Sequence, residues 1–351
     1  MSQSKLSVRA GLRPLRRGDG SVQFGQSPGT ALAVRHLPAA LLEELEGAPD
    51  GIPPETLIRR SVSRGVPEPV CRASLAVLRA ADLLDERRPA TPAPDHPDQL
   101  APDVAAAALL CRGLGAAQER YRARARRAVE VRGAGRVGAP LVGLLRAAGV
   151  GSVRVRDAGP VRPADLAPGG LAPADVGRTR QRAATRAAAR SVTVPAEDTS
   201  RPPDLVVFAP PAGTLPPAVT GLELLVAGVP HLFVGVRELR GVVGPLVAGT
   251  AACWSCLHLH RCARDPAWPA LADQLARGAG GSVEPCDVVL AAAVSAAAAA
   301  QVLAVLDGDP AAVRGDQVAT LGGTLELTQP GWRWARRSWP PHADCPCRDV
   351  R

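Results

Sequence analysis

Four cysteines in two close pairs, Cys253-x-x-Cys256 and Cys345-x-Cys347, are the residues best equipped for chemistry in this 351-residue chain of only eight cysteines. Each pair brings two thiols together on a tight turn. Two such turns complete the closed, tetrahedral four-thiolate set that zinc occupies in structural sites. The alternatives are a disulfide pair or unrelated free thiols. No apolar stretch of a secretory signal follows Met1, since a basic segment, Arg9–Arg17, comes next. The expected compartment is therefore the reducing cytoplasm, where metal binding is favoured over a disulfide. The C-x-C spacing of the second pair departs from the commoner C-x-x-C.

A second constellation is Gly133-Ala-Gly135-Arg-Val-Gly138, after the expected strand Ala128–Arg132 and before the helical pattern Val137–Ala148. Strand, glycine turn and helix in this order form the dinucleotide-type fingerprint. Gly133 and Gly135 permit the turn and a close phosphate approach, and Gly138 permits helix–strand packing. The helix N-terminus favours an anion. Asp157, at the end of the next strand, Ser152–Arg156, is placed to accept hydrogen bonds from a ribose. Other reactive groups carry less. His258, His260 and Cys262 form an alternative metal set, read as an exposed basic loop or, on a strand, as a shared face. Cys286 opens an apolar helix after Pro285 and reads as buried rather than catalytic. No G-x-S-x-G is present, and no catalytic residue is assigned.

The elements that must position these groups follow from pattern. At 46% hydrophobic but 3% aromatic, the core must be built from Ala, Val and Leu. The net charge of +9 is arginine-borne, Lys5 being the only lysine, and favours acidic partners. The uncharged run Val288–Leu306 nearly spans a bilayer in length, yet it is mostly alanine between Asp287 and Asp307. It reads as a buried helix, not a membrane segment. The proline-rich stretch Pro89–Pro97 interrupts any helix or central strand and divides residues 1–88 from 104–351 across a linker, 89–103. Before it, short strands at Leu12–Arg16, Ser21–Phe24 and Ala31–Arg35 precede helices Pro38–Glu46, Pro54–Ser63 and Glu68–Ala80, with a strand or wing at Leu83-Leu84. That is the plan of a winged helix. After it, strands and helices alternate: Ala128–Arg132, Val137–Ala148, Ser152–Arg156, Gly177–Arg190, Ser191–Val194, Leu205–Phe208, Gly221–Gly228 and His231–Val236. A helix at Trp268–Arg277 and a hairpin region, Val318–Arg333, close the chain. This order predicts an α/β fold with a mostly parallel sheet covered by helices.

The glycine turn and the following Gly149-Val-Gly-Ser-Val-Arg-Val-Arg-Asp157 resemble the ThiF/MoeB superfamily, the ubiquitin-activating-type adenylating enzymes. In that family the ribose-binding acid is followed by an Asn, a phosphate-contacting Arg and a Lys, and a magnesium-assisting Asp follows a later strand. Here Asp157 matches the ribose ligand, whereas Asp165, Pro168 and Arg180 stand at the next three positions. The later strand, Leu205–Phe208, runs into Ala209-Pro210-Pro211-Ala212. Adenylation depends on charge stabilisation of phosphate oxygens, so these losses point to a vestigial nucleotide site rather than ATP turnover. Three further stretches, Gly249–His258, Asp265–Leu271 and Trp339–Cys347, resemble one branch of the group: the cyclodehydratase "C-proteins" of azole- and azoline-forming peptide biosynthesis.

That resemblance implies an N-terminal winged-helix module that captures a precursor's leader peptide as an added strand. It also implies a YcaO-type partner that performs the ATP chemistry, a structural zinc on Cys253, Cys256, Cys345 and Cys347, and a homodimer. The peptide edge would lie at Ala31–Leu37 against Glu68–Ala80. Val34 and Leu75 would line the floor, and Arg72 and Arg79 would attract an acidic leader. An adenylyltransferase that activates a ubiquitin-like modifier is the enzyme alternative. A winged-helix DNA-binding regulator is the third, opposed by Glu68 and Asp82 flanking the two arginines.

Overall fold

A computed structural model describes residues 4–29, 31–87, 98–111, 113–190, 201–278, 283–308, 313 and 318–349. The proline-rich stretch at 89–97 and the strand expected at Ser191–Val194 lie outside them. The chain divides into two compact units, Met1–Arg122 and Ala123–Arg351.

The first unit holds a three-stranded antiparallel sheet of β2 (Pro14–Arg16), β3 (Val22–Phe24) and β4 (Leu32–Val34). Three helices follow: α1 (Ala39–Glu46), α2 (Pro54–Ser63) and α3 (Glu68–Ala80). Prolines at the starts of α2 and α3 cost no hydrogen bond, because the first N–H groups of a helix have no partner anyway. Glu55 and Glu68 in the same first turns complement the positive end of the helix dipole. Leu41, Leu42, Leu57, Leu75 and Leu78 close around Phe24 and Leu6. The strand expected near Leu83-Leu84 is β5 (Leu84–Arg87). It pairs with β1 (Lys5–Val8), an unforeseen strand, and not with the three-stranded sheet. Helices α4 (Ala101–Leu110) and α5 (Leu114–Arg124) come next in sequence.

The second unit is built on seven strands: β6 (Ala128–Arg132), β7 (Ser152–Arg156), β8 (Leu205–Phe208), β9 (His231–Arg237), β10 (Arg240–Val247), β11 (Gly323–Thr328) and β12 (Arg333–Ser338), in the order β12-β11-β10-β9-β8-β6-β7. The half from β7 to β9 is parallel, as the strand–helix alternation predicts. From β9 through β12 the pairing is antiparallel, so the sheet is mixed. The reason is local. Glu238, at φ +53°, helps turn β9 straight back into β10, and no crossover helix intervenes.

Both faces of the parallel half are covered, and side-chain alternation sends successive residues to different cores. Leu205 and Val207 join the cluster formed with α6 (Gly138–Ala147) and α11 (Val288–Leu306), while Val206 and Phe208 join the cysteine cluster. Helix α11 is the one described helix long and apolar enough to cross a membrane. A stripe from Leu290 and Val294 through Ala298 and Val302 to Val305 is buried against α6, β9 and β10. Asp287 caps it, accepting from the N–H groups of Val289 (3.0 Å) and Leu290 (2.9 Å). The buried Ser295 hydroxyl donates to the Val137 carbonyl at 2.9 Å, where small residues let the helices approach.

Candidate metal centre and nucleotide cleft

The four paired cysteines meet. Cys253 precedes the first turn of α9 (Trp254–Cys262), and Cys256 lies one turn along it. Cys345 and Cys347 flank the start of a short 3-10 turn, Pro346–Arg348. Sγ–Sγ separations are 3.7 Å for Cys253–Cys256 and 3.6 Å for both Cys253–Cys345 and Cys256–Cys347, with all four atoms within 4.8 Å of one another. A disulfide needs about 2.05 Å, so these are thiols. A regular tetrahedron of sulfurs, each about 2.3 Å from a zinc ion, has edges of about 3.8 Å, close to the three separations above. The cysteines are buried among Phe233, Trp254, Leu257 and Trp339.

Taken as bare sulfurs, the four cannot all ionise. The hydrogen bond from Cys253 pulls the Cys256 thiol down to about 4 and pushes that of Cys253 up, while burial pushes Cys347 up to about 12. A divalent cation removes that conflict, and the His342 backbone N–H reaching the Cys256 sulfur adds to the neutralisation. The donor set therefore fits a structural metal with no position left for a substrate. His258 and His260 stand on α9, which is a helix and neither a loop nor a strand, and neither belongs to the sulfur cluster. Burial lowers the pKa of His258 to about 4, Arg261 adding to the shift, so its ring is neutral. The His260 Nε2 bonds the Pro340 carbonyl at 2.8 Å. No other group of three or more potential ligands occurs among the described residues.

The glycine turn is folded as its residue types require. Gly133 has φ +107°, and a Cβ there would stand 2.0 Å from the Ala209 carbonyl oxygen. At Gly138 a Cβ would stand 2.0 Å from the Gly133 oxygen, so this glycine lets α6 sit against the turn. Gly135 is open towards a cleft of about 810 Å³ that also exposes Arg136, Arg162, Asp165, Arg180 and Glu284. Beyond β8, Pro211 and Ala212 line this cleft.

Asp157 does not face the cleft with free oxygens. Its Oδ2 accepts from the Ala134 N–H (2.8 Å) and Arg180 Nε (2.8 Å), and its Oδ1 from the Gly159 N–H (2.9 Å) and Arg180 Nη2 (2.9 Å). Four donors fill roughly the four lone-pair directions of a carboxylate. Burial raises its pKa, but the Arg180 fork and the two N–H groups outweigh that and hold it below the usual carboxylate range. Arg180 also donates to the Pro160 carbonyl at 3.0 Å and contacts Asp165 at 3.4 Å. The two polar residues expected to serve a nucleotide, Arg180 and Asp157, are thus bound to each other.

The residues expected to contact a peptide are separated by the structure. Val34 is buried at the edge of a groove of about 360 Å³ between β4 and α3. Leu75 lies in the core of the unit. Arg72 is paired with Glu55 (3.2 Å) and Glu68 (2.9 Å), and Arg79 with Glu86 (3.0 Å). What α3 presents to the groove is its neighbouring stripe, Val70, Ala73 and Val77, with Val70 41% and Val77 51% exposed.

No protein-family model matches the sequence, and no curated protein does. Solved structures do match along nearly the whole length. The microcin C7 biosynthetic enzyme MccB in complex with N-formylated MccA superposes with a TM-score of 0.66 at 12% identity, covering 97% of this chain and 98% of that one. Escherichia coli MccB with ATP gives 0.64 at 12% identity over the same shares. PaaA gives 0.63 at 13% identity, covering 95% of this chain and 99% of that one. At such low identity the likeness is one of fold: the chain has the ThiF-like fold of these proteins, with a four-cysteine cluster suited to a metal.

Proposed function

We propose that the chain captures a peptide on its first unit, as an added β-strand, and presents it for modification by a partner without turning over ATP itself. The observation that carries this reading is the edge of β4. Among the described residues the strand pairs only with β3, so its other side offers main-chain groups beside the apolar Val34, Val70 and Val77. Backbone pairing would supply affinity, and the groove would select side chains. The saturated Asp157 supports the second half. A modified-peptide biosynthetic role accords with MccB, whose structures include complexes with MccA. A YcaO-type protein is the partner this division of labour calls for. The winged-helix description of the first unit, the structural zinc and a homodimer belong to the same proposal. The DNA-binding alternative gains nothing, since Arg72 and Arg79 are engaged by glutamates.

The second reading, a peptide adenylyltransferase, is favoured by the MccB complex with ATP. Two measurements on the full chain decide. A random-peptide display selection should enrich binders that the Val77→Arg chain does not retain. Equal retention by the variant removes the groove from the account. Pyrophosphate exchange into ATP, with the enriched peptide added, should stay at background; exchange above it establishes the adenylating reading instead.

A further inference from the structure

A second polar cavity, of about 240 Å³, lies in the antiparallel half of the second unit and shares no lining residue with the glycine-turn cleft. Four arginines converge on it from four elements: Arg237 ends β9, Arg240 opens β10, Arg261 sits on α9 and Arg337 on β12. The single carboxylate in its lining is Glu326 on β11, which accepts from Arg240 at 3.0 Å and contacts Arg337 at 3.6 Å. Four cations and one anion leave three positive charges uncompensated.

Arg261 shows how such crowding is held in place. Its guanidinium lies 4.9 Å from the Trp268 ring centroid and 5.9 Å from that of Trp254, a stacking that fixes the plane and leaves the N–H edges to donate. Its Nη1 and the neighbouring Trp268 Nε1 are shielded from solvent and have no hydrogen-bond partner among the described residues. Burial pushes its pKa down to about 10, with Arg237 and Arg337 adding to the effect, so it still carries its charge at neutral pH. A shielded N–H without a partner on a cation beside others of like sign costs free energy, which the tryptophan stacking and the distant Glu326 charge offset only in part.

We propose that this cavity binds a phosphate group, either inorganic phosphate or the phosphate end of a small ester. The arginine forks match a tetrahedral oxyanion in bidentate fashion, and a doubly charged anion neutralises the excess better than a carboxylate. The volume is below the roughly 300–1,000 Å³ of sites that enclose whole drug-sized ligands, so the pocket suits the phosphate and little else. Its lining shares no residue with the peptide groove or the glycine-turn cleft.

The test uses the full chain, with inorganic phosphate, O-phosphoserine and acetate titrated at constant ionic strength, read by calorimetry, tryptophan fluorescence and thermal melting. Phosphate should bind, perturb the tryptophan emission and raise Tm, with acetate doing neither. Binding of phosphoserine as tight as phosphate identifies an ester end as an acceptable source; exclusion of it assigns the site to the free ion. Arg261→Met and Arg237→Met, each filling similar space, should weaken phosphate by at least 10-fold. In phosphate-free buffer they should melt no lower than the wild type, because a repelling charge has been removed. No binding to the wild type, an equal response to acetate, or a phosphate response that survives in both variants overturns the assignment.

Discussion

Replacing Arg180 by alanine separates two roles that predict opposite signs. If Arg180 contacts the phosphates of a bound nucleotide, its loss weakens ATP binding. If it closes the ribose position, its loss strengthens it. The geometry supports closure: a bidentate pair at 2.8 and 2.9 Å whose side chains are only 13% and 8% exposed. Separating a buried pair costs about 3–5 kcal/mol. Arg180 has a route to solvent along the cleft, so the lower value applies. A nucleotide that must displace Arg180 from Asp157 therefore loses about 3 kcal/mol, or about two orders of magnitude in affinity. Arg180→Ala should remove that penalty and tighten ATP binding about 100-fold, measured by calorimetry below the melting temperature of the variant. Exchange activity should not appear, since Ala209–Ala212 bring no carboxylate for a magnesium ion. Micromolar ATP binding by the wild type that weakens in Arg180→Ala would refute the reasoning.

Three further outcomes follow from the same geometry. Cys347→Ser, or chelation, should abolish a bound metal present at one per chain; treated as a cross-link between positions 92 residues apart, the clamp is worth roughly 5 kcal/mol, and Tm should fall by about 10–20 °C. Val77→Arg should leave Tm within a degree or two while removing peptide binding, whereas Leu75→Ala, in the core, should cost about 2–5 kcal/mol in chemical denaturation. The folded-state pKa of Asp157 lies below its unfolded value of about 3.9, so its stabilisation is complete above that range and is lost as pH falls through the folded value; Asp157→Asn should flatten the acid limb of a Tm-against-pH curve.

Much of the second unit is legible because its signals are local. The unbroken apolar run Leu205–Phe208 reads as a buried strand and the valine alternation of Ala128–Arg132 and Ser152–Arg156 as two more, and β6, β7 and β8 have the expected limits. The C-x-x-C and C-x-C spacings predict each half of the sulfur cluster; only the fold joins halves 92 residues apart. Strand β10 was hidden by its Gly244-Pro245, which the sheet accommodates where the register shifts between Val243 and Leu246. In α9, Leu257-His-Leu-His260 alternates like a strand, but Cys253 and Cys256 meet only if the chain turns helically between them. On α3 the apolar residues occupy two adjacent stripes. Periodicity alone cannot say which turns inward, and the core took Cys71, Leu75 and Leu78, leaving Val70, Ala73 and Val77 outside. The Arg180–Asp157 pair was out of reach for another reason: each residue suits a nucleotide, and only three dimensions show that they satisfy one another.

The sulfur cluster also sets a timetable. A ribosome adding about 5–20 residues per second needs some 5–18 seconds to travel the 91 residues from Cys256 to Cys347. When that interval opens, two of the cluster's four thiols have been made, and β11 and β12, which complete the antiparallel half of the sheet, are added only near its end. A metal captured early would be held by one helical turn alone and readily given up. A product interrupted between Cys256 and Cys345 carries only two of the four thiols, so it can offer a metal no more than half of the set.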